Sequence, residues 1–216
     1  MIKLAKPIIS EAVIQEVAEI IRSGNLVQGP RVEQFEEALR NYLNIEYAIV
    51  VSSGTAALHL ALMALNITDG DEVLVPAFTF PATANVVENV GAKPLLVDIS
   101  LTDFCMDPSR IEDTITQRTK AIIVVHEFGQ TAEIEKIVEI AKRRNLHFIE
   151  DAACAIGARW KNRPAGAFGI LGCFSFHPRK VITTGEGGAI TTGDASLAKR
   201  IRALRSHGLS APGTLE

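Results

Sequence analysis

Tyr47-Ala48-Ile49-Val50-Val51-Ser52-Ser53-Gly54-Thr55-Ala56-Ala57-Leu58 is the stretch on which the fold turns. Its first five residues carry no charge, which suits a strand covered on both faces rather than one. Ser52, Ser53 and Gly54 form a turn, and an Ala- and Leu-rich helical run starts at Ala56. A covered strand feeding directly into a helix is the opening of a βαβ unit. The same alternation repeats outward. Residues 72–75, 94–98, 121–125 and 147–150 read as further strands, and 56–65, 81–90 and 133–144 as the helices between them. The expectation is an α/β fold, a three-layer α/β/α arrangement around a mostly parallel sheet whose strands are apolar on both faces.

Beyond Asp151 the segments shorten. Residues 172–176 and 188–192, rich in Gly and aromatic residues, read as strands before a last helix at 195–205. Upstream, Val13, Ile14, Val17, Ile20 and Ile21 recur at helical spacing behind a Ser10 cap. A break at 24–30 separates them from a second amphipathic helix marked by Val32, Phe35, Leu39, Tyr42 and Leu43. The tail 210–216, with Pro212 and Gly213, has no periodicity and reads as a cut end. The division expected is an N-terminal helical segment over 1–45, a main domain over 46–209, and a truncated tail over 210–216.

The chain has 216 residues, 47% of them hydrophobic, enough for one large core. Its formal charge of −3 is spread without a basic stripe, which argues against a nucleic-acid partner. Cys105, Cys154 and Cys173 are odd in number and form no CxxC pair, so neither a disulfide framework nor a zinc knuckle is indicated. A reducing cytoplasm fits them. Lys, Glu and Arg interrupt the apolar residues of 1–26, which excludes a signal peptide there and any membrane span.

Three places carry potential chemistry. At Ser52-Ser53-Gly54-Thr55 the free N–H groups of a helix start, with a Thr hydroxyl beside them, suit a phosphate, though a plain N-cap needs no more than this. The spacing is not that of a dinucleotide or nucleoside-triphosphate loop. Asp151 ends an apolar strand at the edge where parallel sheets hold ligands. It could cap the next turn, bind a metal or hold a protonated pyridine nitrogen. Glu150 points to the other face, which disfavours a metal and leaves no metal site assigned. Lys180 lies between an apolar strand and the glycines of Gly185-Glu186-Gly187-Gly188; it could be a surface charge or an amine nucleophile. Together, a phosphate cradle, a ring-nitrogen carboxylate and an amine meet the needs of pyridoxal 5'-phosphate (PLP).

Five motifs then resemble one family in order: SSGTAALHLAL from Ser52, GDEVLVPAFTFPATAN from Gly70, HEFGQTAEI from His126, IEDAACAIGA from Ile149 and FSFHPRKVITTGEGGAI from Phe174. The chain closely resembles the DegT/DnrJ/EryC1/StrS sugar aminotransferases, PLP enzymes of the aspartate-aminotransferase fold that act on keto-sugar nucleotides. The resemblance implies that the main domain is the large, PLP-binding domain. It places Gly54, Thr55 and Ser175 on the cofactor phosphate, Phe80 on the ring face, Asp151 on the ring nitrogen and Lys180 as the covalent tether and proton carrier. Cys154 falls where the family often has His or Gln, close to the cofactor's ring oxygen.

The implied reaction moves an amino group from an amino acid, usually glutamate, to a keto-sugar nucleotide, in a homodimer. Some dehydrating members carry His in place of Lys180, so the lysine favours transamination over a PLP-dependent dehydratase or lyase. Family members continue past the pair matched by His207-Gly208 into a loop that enters the neighbouring subunit and a small C-terminal domain. A shortened form lacking that domain, and inactive for want of it, is therefore one expectation. A non-catalytic regulatory protein on a degraded enzyme scaffold is the remaining alternative. The filled cofactor positions and the lack of a helix-turn-helix pattern oppose it.

Overall fold

The computed structural model of the protein describes residues 5–211 and 214–215. In chain order, α1 (Glu11–Ser23) and α2 (Pro30–Leu43) precede β1 (Tyr47–Val51), α3 (Gly54–Ala64), β2 (Glu72–Pro76), α4 (Ala82–Asn89) and β3 (Lys93–Val97). Next come α5 (Pro108–Thr114), β4 (Thr119–Val125), α6 (Ile134–Arg143) and β5 (His147–Asp151). Two-residue strands β6 (Arg159–Trp160) and β7 (Arg163–Pro164) lead to β8 (Leu171–Ser175), β9 (Gly188–Thr192) and α7 (Ala195–Arg205). Where the sequence shows no periodicity, β10 (Leu209–Ala211) and β11 (Thr214–Leu215) pair antiparallel.

Seven strands form one sheet in the order β1-β9-β8-β5-β4-β2-β3. The pairs β2 with β3, β2 with β4, β4 with β5 and β5 with β8 are parallel. β9 runs against both neighbours, β1 and β8. The fold is thus a three-layer α/β/α arrangement on a mostly parallel sheet, as the alternation predicts.

Alternation along each strand sorts the side chains between the layers. Val73, Val75, Ala121, Ile123 and Ile149 pack with Leu58 and Leu62 of α3, Val86 and Val87 of α4, and Ile201 of α7. The intervening Leu74, Ile122, Val124 and Phe148 meet Ile111 of α5 and Ile134, Ile137 and Ile140 of α6. In α6 those isoleucines recur every three residues and form one buried face, each contributing about 1.5–3 kcal/mol of apolar burial. Its last turn carries Lys142 and Arg143, the charge sign a helix C-terminus favours. On the same side of the sheet, α2 sends Leu39 and Leu43 against Ala48, Phe174, Phe176 and Ala189.

Two sequence expectations need correction here. β3 is not covered on both faces: it is the edge strand, bonded among the described residues to β2 alone, and Lys93 and Leu96 are exposed. α5 was not anticipated, because seven residues with Pro108 in the first turn and Ile111 as the buried position give too short a period to read. α1 has its Ser10 cap but no buried residue, and Val13, Ile14 and Val17 are about half exposed. Among the described residues no helix is long and apolar enough to cross a membrane.

Candidate active site

The sheet register brings the chemical residues to one edge. Val51 and Ser175 both pair with Gly188, while Asp151 pairs with Val125 on one side and Cys173 on the other. The carboxyl ends of β1, β4, β5 and β8 are therefore level, and a cavity of about 520 Å³ opens there. Gly54, Thr55, Phe80, Asp151, Cys154, Ser175 and Lys180, all singled out from the sequence, line it together.

One wall is the start of α3. Ser53 caps the helix by accepting from the N–H of Ala56 on its side chain and of Ala57 on its carbonyl. The first-turn N–H groups of Gly54 and Thr55 meet no acceptor among the described residues, and both residues line the cavity. Gly54 is required by close packing. A Cβ there would stand 2.7 Å from Ser175 Cβ, so α3 lies against the end of β8 and places the Ser175 hydroxyl beside the helix start. Gly188 allows the same approach from β9, since its Cβ would stand 2.4 Å from the Ser53 carbonyl oxygen.

Asp151 forms the floor and is 6% exposed. Its carboxylate accepts from Thr83 Oγ1 of α4 at 3.0 Å and from the Ala153 N–H at 3.1 Å. Burial pushes its pKa above the ordinary carboxylate value, against the pull of those two hydrogen bonds and of Lys180 and His126. Such a carboxylate gains from a cationic N–H donor more than an exposed one does, because little water competes. Phe80 stands at the mouth, 74% exposed, with its ring unburied by protein. Lys180 is half-buried, and its Nζ donates to Cys154 Sγ at 3.0 Å. Cys154, singled out through the family resemblance, is here the lysine's hydrogen-bond partner.

Sequence reasoning missed two participants. Thr83 holds Asp151 from a helix two strands away, and its own partner is Thr79 at 3.1 Å. Glu127 also lines the cavity, with its pKa raised by burial first and by Asp151 second, against Lys180. It stands two residues past the apolar run of β4, where Asp151 terminates that of β5, and that nearness to a strand end was the available signal. Phe128 beside it holds a left-handed backbone, φ 52°, a strained setting for a bulky residue. Glu150 does face away from Asp151, into the other layer, as the strand alternation predicts.

A three-layer α/β protein with an amine, a buried carboxylate and a free helix start at the carboxyl edge of its sheet is built to hold an anionic, ring-bearing ligand. The DegT/DnrJ/EryC1/StrS aminotransferase family model matches residues 7–214, and the chain belongs to that family. It is 47% identical to the GDP-perosamine synthase of Caulobacter vibrioides over 181 residues, 84% of this chain and 49% of that protein. An aminotransferase structure from Psychrobacter cryohalolentis superimposes with a TM-score of 0.93 at 34% identity, over 98% of this chain and 57% of that one. The PLP form of a sugar aminotransferase from Streptococcus pneumoniae gives 0.91 at 34% identity, over 96% and 58%. The chain thus spans about half the length of the curated relatives it matches.

Proposed function

We propose that this chain is the cofactor-holding part of a PLP-dependent aminotransferase that passes an amino group from an amino acid, glutamate, to a keto-sugar nucleotide. The observation that carries the reading is the single cavity gathering an amine, a buried carboxylate with a raised pKa, a free helix start and an exposed ring. The residues fit PLP on their chemistry. The N–H groups of Gly54 and Thr55, at the positive end of α3, take the phosphate together with the Thr55 and Ser175 hydroxyls. Gly54 keeps that cradle open, since a side chain would fill the space toward Ser175.

When bound, PLP supplies an electron sink that stabilises negative charge at the carbon losing its proton. The protein does the rest. Asp151, buried and fixed in orientation by Thr83, would keep the ring nitrogen protonated. Phe80, exposed at the cavity mouth, would cover one ring face. Lys180 would hold the cofactor through Nζ, and the same amine would carry the proton. Cys154, whose Sγ accepts from that nitrogen, would stand near the ring oxygen. We place the reaction in the cytoplasm, which suits three unpaired cysteines, and in a homodimer, which the exposed Phe78, Phe104 and Phe128 near the cavity support.

Absorption spectroscopy tests this. The protein with added PLP should gain a visible band that Lys180→Ala abolishes, and glutamate with a keto-sugar nucleotide should yield 2-oxoglutarate. A wild-type protein that stays colourless with PLP would refute the reading.

A further inference from the structure

Behind the cavity, on the opposite face of β5 from Asp151, lies a pair of ionisable side chains to which the reaction gives no part. His126 and Glu150 are both fully buried, with Nε2 and Oε2 2.9 Å apart. The Ala132 N–H donates to His126 Nδ1 at 3.3 Å, so the ring proton sits on Nε2 and points at Glu150. Glu150 also accepts from the backbone N–H of Gly166 at 2.7 Å and of Phe168 and Gly169 at 2.6 Å each. One carboxylate thus gathers four donors from two parts of the chain: His126 just beyond β4, itself held by the Ala132 N–H, and the 166–169 segment entering β8.

That arrangement bears directly on Asp151. Neighbours on a strand leave one shared peptide toward opposite faces, so fixing Glu150 fixes the peptide from which Asp151 departs. The backbone tightens the link, because the His126 N–H donates to the Asp151 carbonyl at 3.1 Å. Removing the imidazole donor would leave Glu150 one donor short, with Oε2 held by the Gly166 N–H alone. A buried carboxylate has strong reason to seek a replacement partner.

We infer that His126 and Glu150 are positioning residues: a buried imidazole–carboxylate pair that sets where the Asp151 carboxylate stands in the cavity. The inference rests on the reading of Asp151 as the partner of the PLP ring nitrogen.

Two substitutions of His126 separate positioning from mere stability. His126→Gln can place an amide N–H near the Nε2 position and keep the bond to Glu150, whereas His126→Asn is too short to reach it. Each is titrated with PLP by absorbance, at a temperature where circular dichroism shows it folded. His126→Asn should bind PLP about tenfold more weakly, the scale of loss when an outer partner of a site ligand is removed, with its visible band displaced. His126→Gln should return both toward wild type. If folded His126→Asn binds with unchanged affinity and an unchanged band, positioning is refuted while the PLP reading stands. If the wild type itself takes up no PLP, that reading falls instead. Should His126→Asn not fold, ¹⁵N-histidine spectra of the wild type decide. One ring, identified by its loss in His126→Gln, should show a protonated Nε2 and a bare Nδ1 and should shift when PLP is added. A ring signal indifferent to PLP overturns the inference.

Discussion

Replacing Gly54 with alanine adds one methyl group where α3 meets β8. Its Cβ would lie 2.7 Å from Ser175 Cβ, 3.2 Å from Ser175 Oγ and 3.3 Å from Ser175 Cα. Unbonded carbons rest about 3.5–4.0 Å apart, so the helix start has to withdraw by roughly 1 Å. The nearest atom is a Cβ fixed to a central strand, so no flexible side-chain tip can give way. Forcing a methyl group into such a contact costs about 1–3 kcal/mol. Alanine recovers up to about 1 kcal/mol over glycine within a helix, less at the first residue. The balance is a loss of about 1–2 kcal/mol, a fall in Tm of roughly 2–8 °C for a chain of this size.

The same withdrawal carries the Gly54 and Thr55 N–H groups away from the Ser175 hydroxyl, so the phosphate loses its converging donors. If the whole balance is felt in binding, Kd for PLP by absorbance titration rises by about tenfold. Gly24→Ala is the control: its Cβ meets nothing within 4 Å, but its φ of +74° makes alanine strained. It should lower Tm and leave PLP binding untouched. A Gly54→Ala protein with unchanged or higher Tm and wild-type PLP affinity would refute the tight cradle.

Burial raises the pKa of Asp151, so the folded chain holds this proton more tightly than the unfolded one. The ionised group therefore costs stability, increasingly as pH climbs from the usual carboxylate range of about 4 toward the raised value. Without PLP, Asp151→Asn should melt above wild type at neutral pH, and the gap should close near pH 4; parallel melting curves across that range contradict the assignment. Thiol titration of the native protein should find one reactive cysteine, Cys154. Cys105 is buried with its thiol pushed up to about 11, and Cys173 is buried with its thiol pushed well above the usual value, so both should react only on unfolding. Arg205 of α7 bonds Glu36 Oε1 of α2 at 2.6 Å and the Val50 carbonyl at 3.0 Å, with both charged side chains mostly covered. Arg205→Ala should lower the urea-unfolding free energy by about 3 kcal/mol, and a loss below 1 kcal/mol would show that the pair does not brace α2 and α7.

The sequence was most legible where local pattern and packing agree. Strands such as β2 and β4 are apolar at successive positions because helices cover both sides, so each could be read without knowing its partners. β3 has the same look, but its place at the edge depends on the order of the other strands, which no local pattern encodes. The principal site residues were readable because each sits in a motif next to a strand end. Thr83 and the His126–Glu150 pair were not, since their meaning lies in contacts across the sheet. A threonine inside a helix and a histidine after a strand carry no distinctive spacing, and only the folded arrangement shows that one holds Asp151 from above and the other from behind.

β9 has a consequence for how the site comes into being. The helix start at Gly54 belongs to the first βα unit of the sheet, and Lys180 to the connection between its last two strands. They meet only because β9 inserts between β1 and β8 and so closes the register from Val51 through Gly188 to Ser175. No early, locally folded fragment can contain both. A ligand gripping the two acts as a clasp between distant parts of the chain and selects the fully assembled sheet over every partly folded form. Ligand-dependent protection from proteolysis should therefore extend to the whole sheet at once.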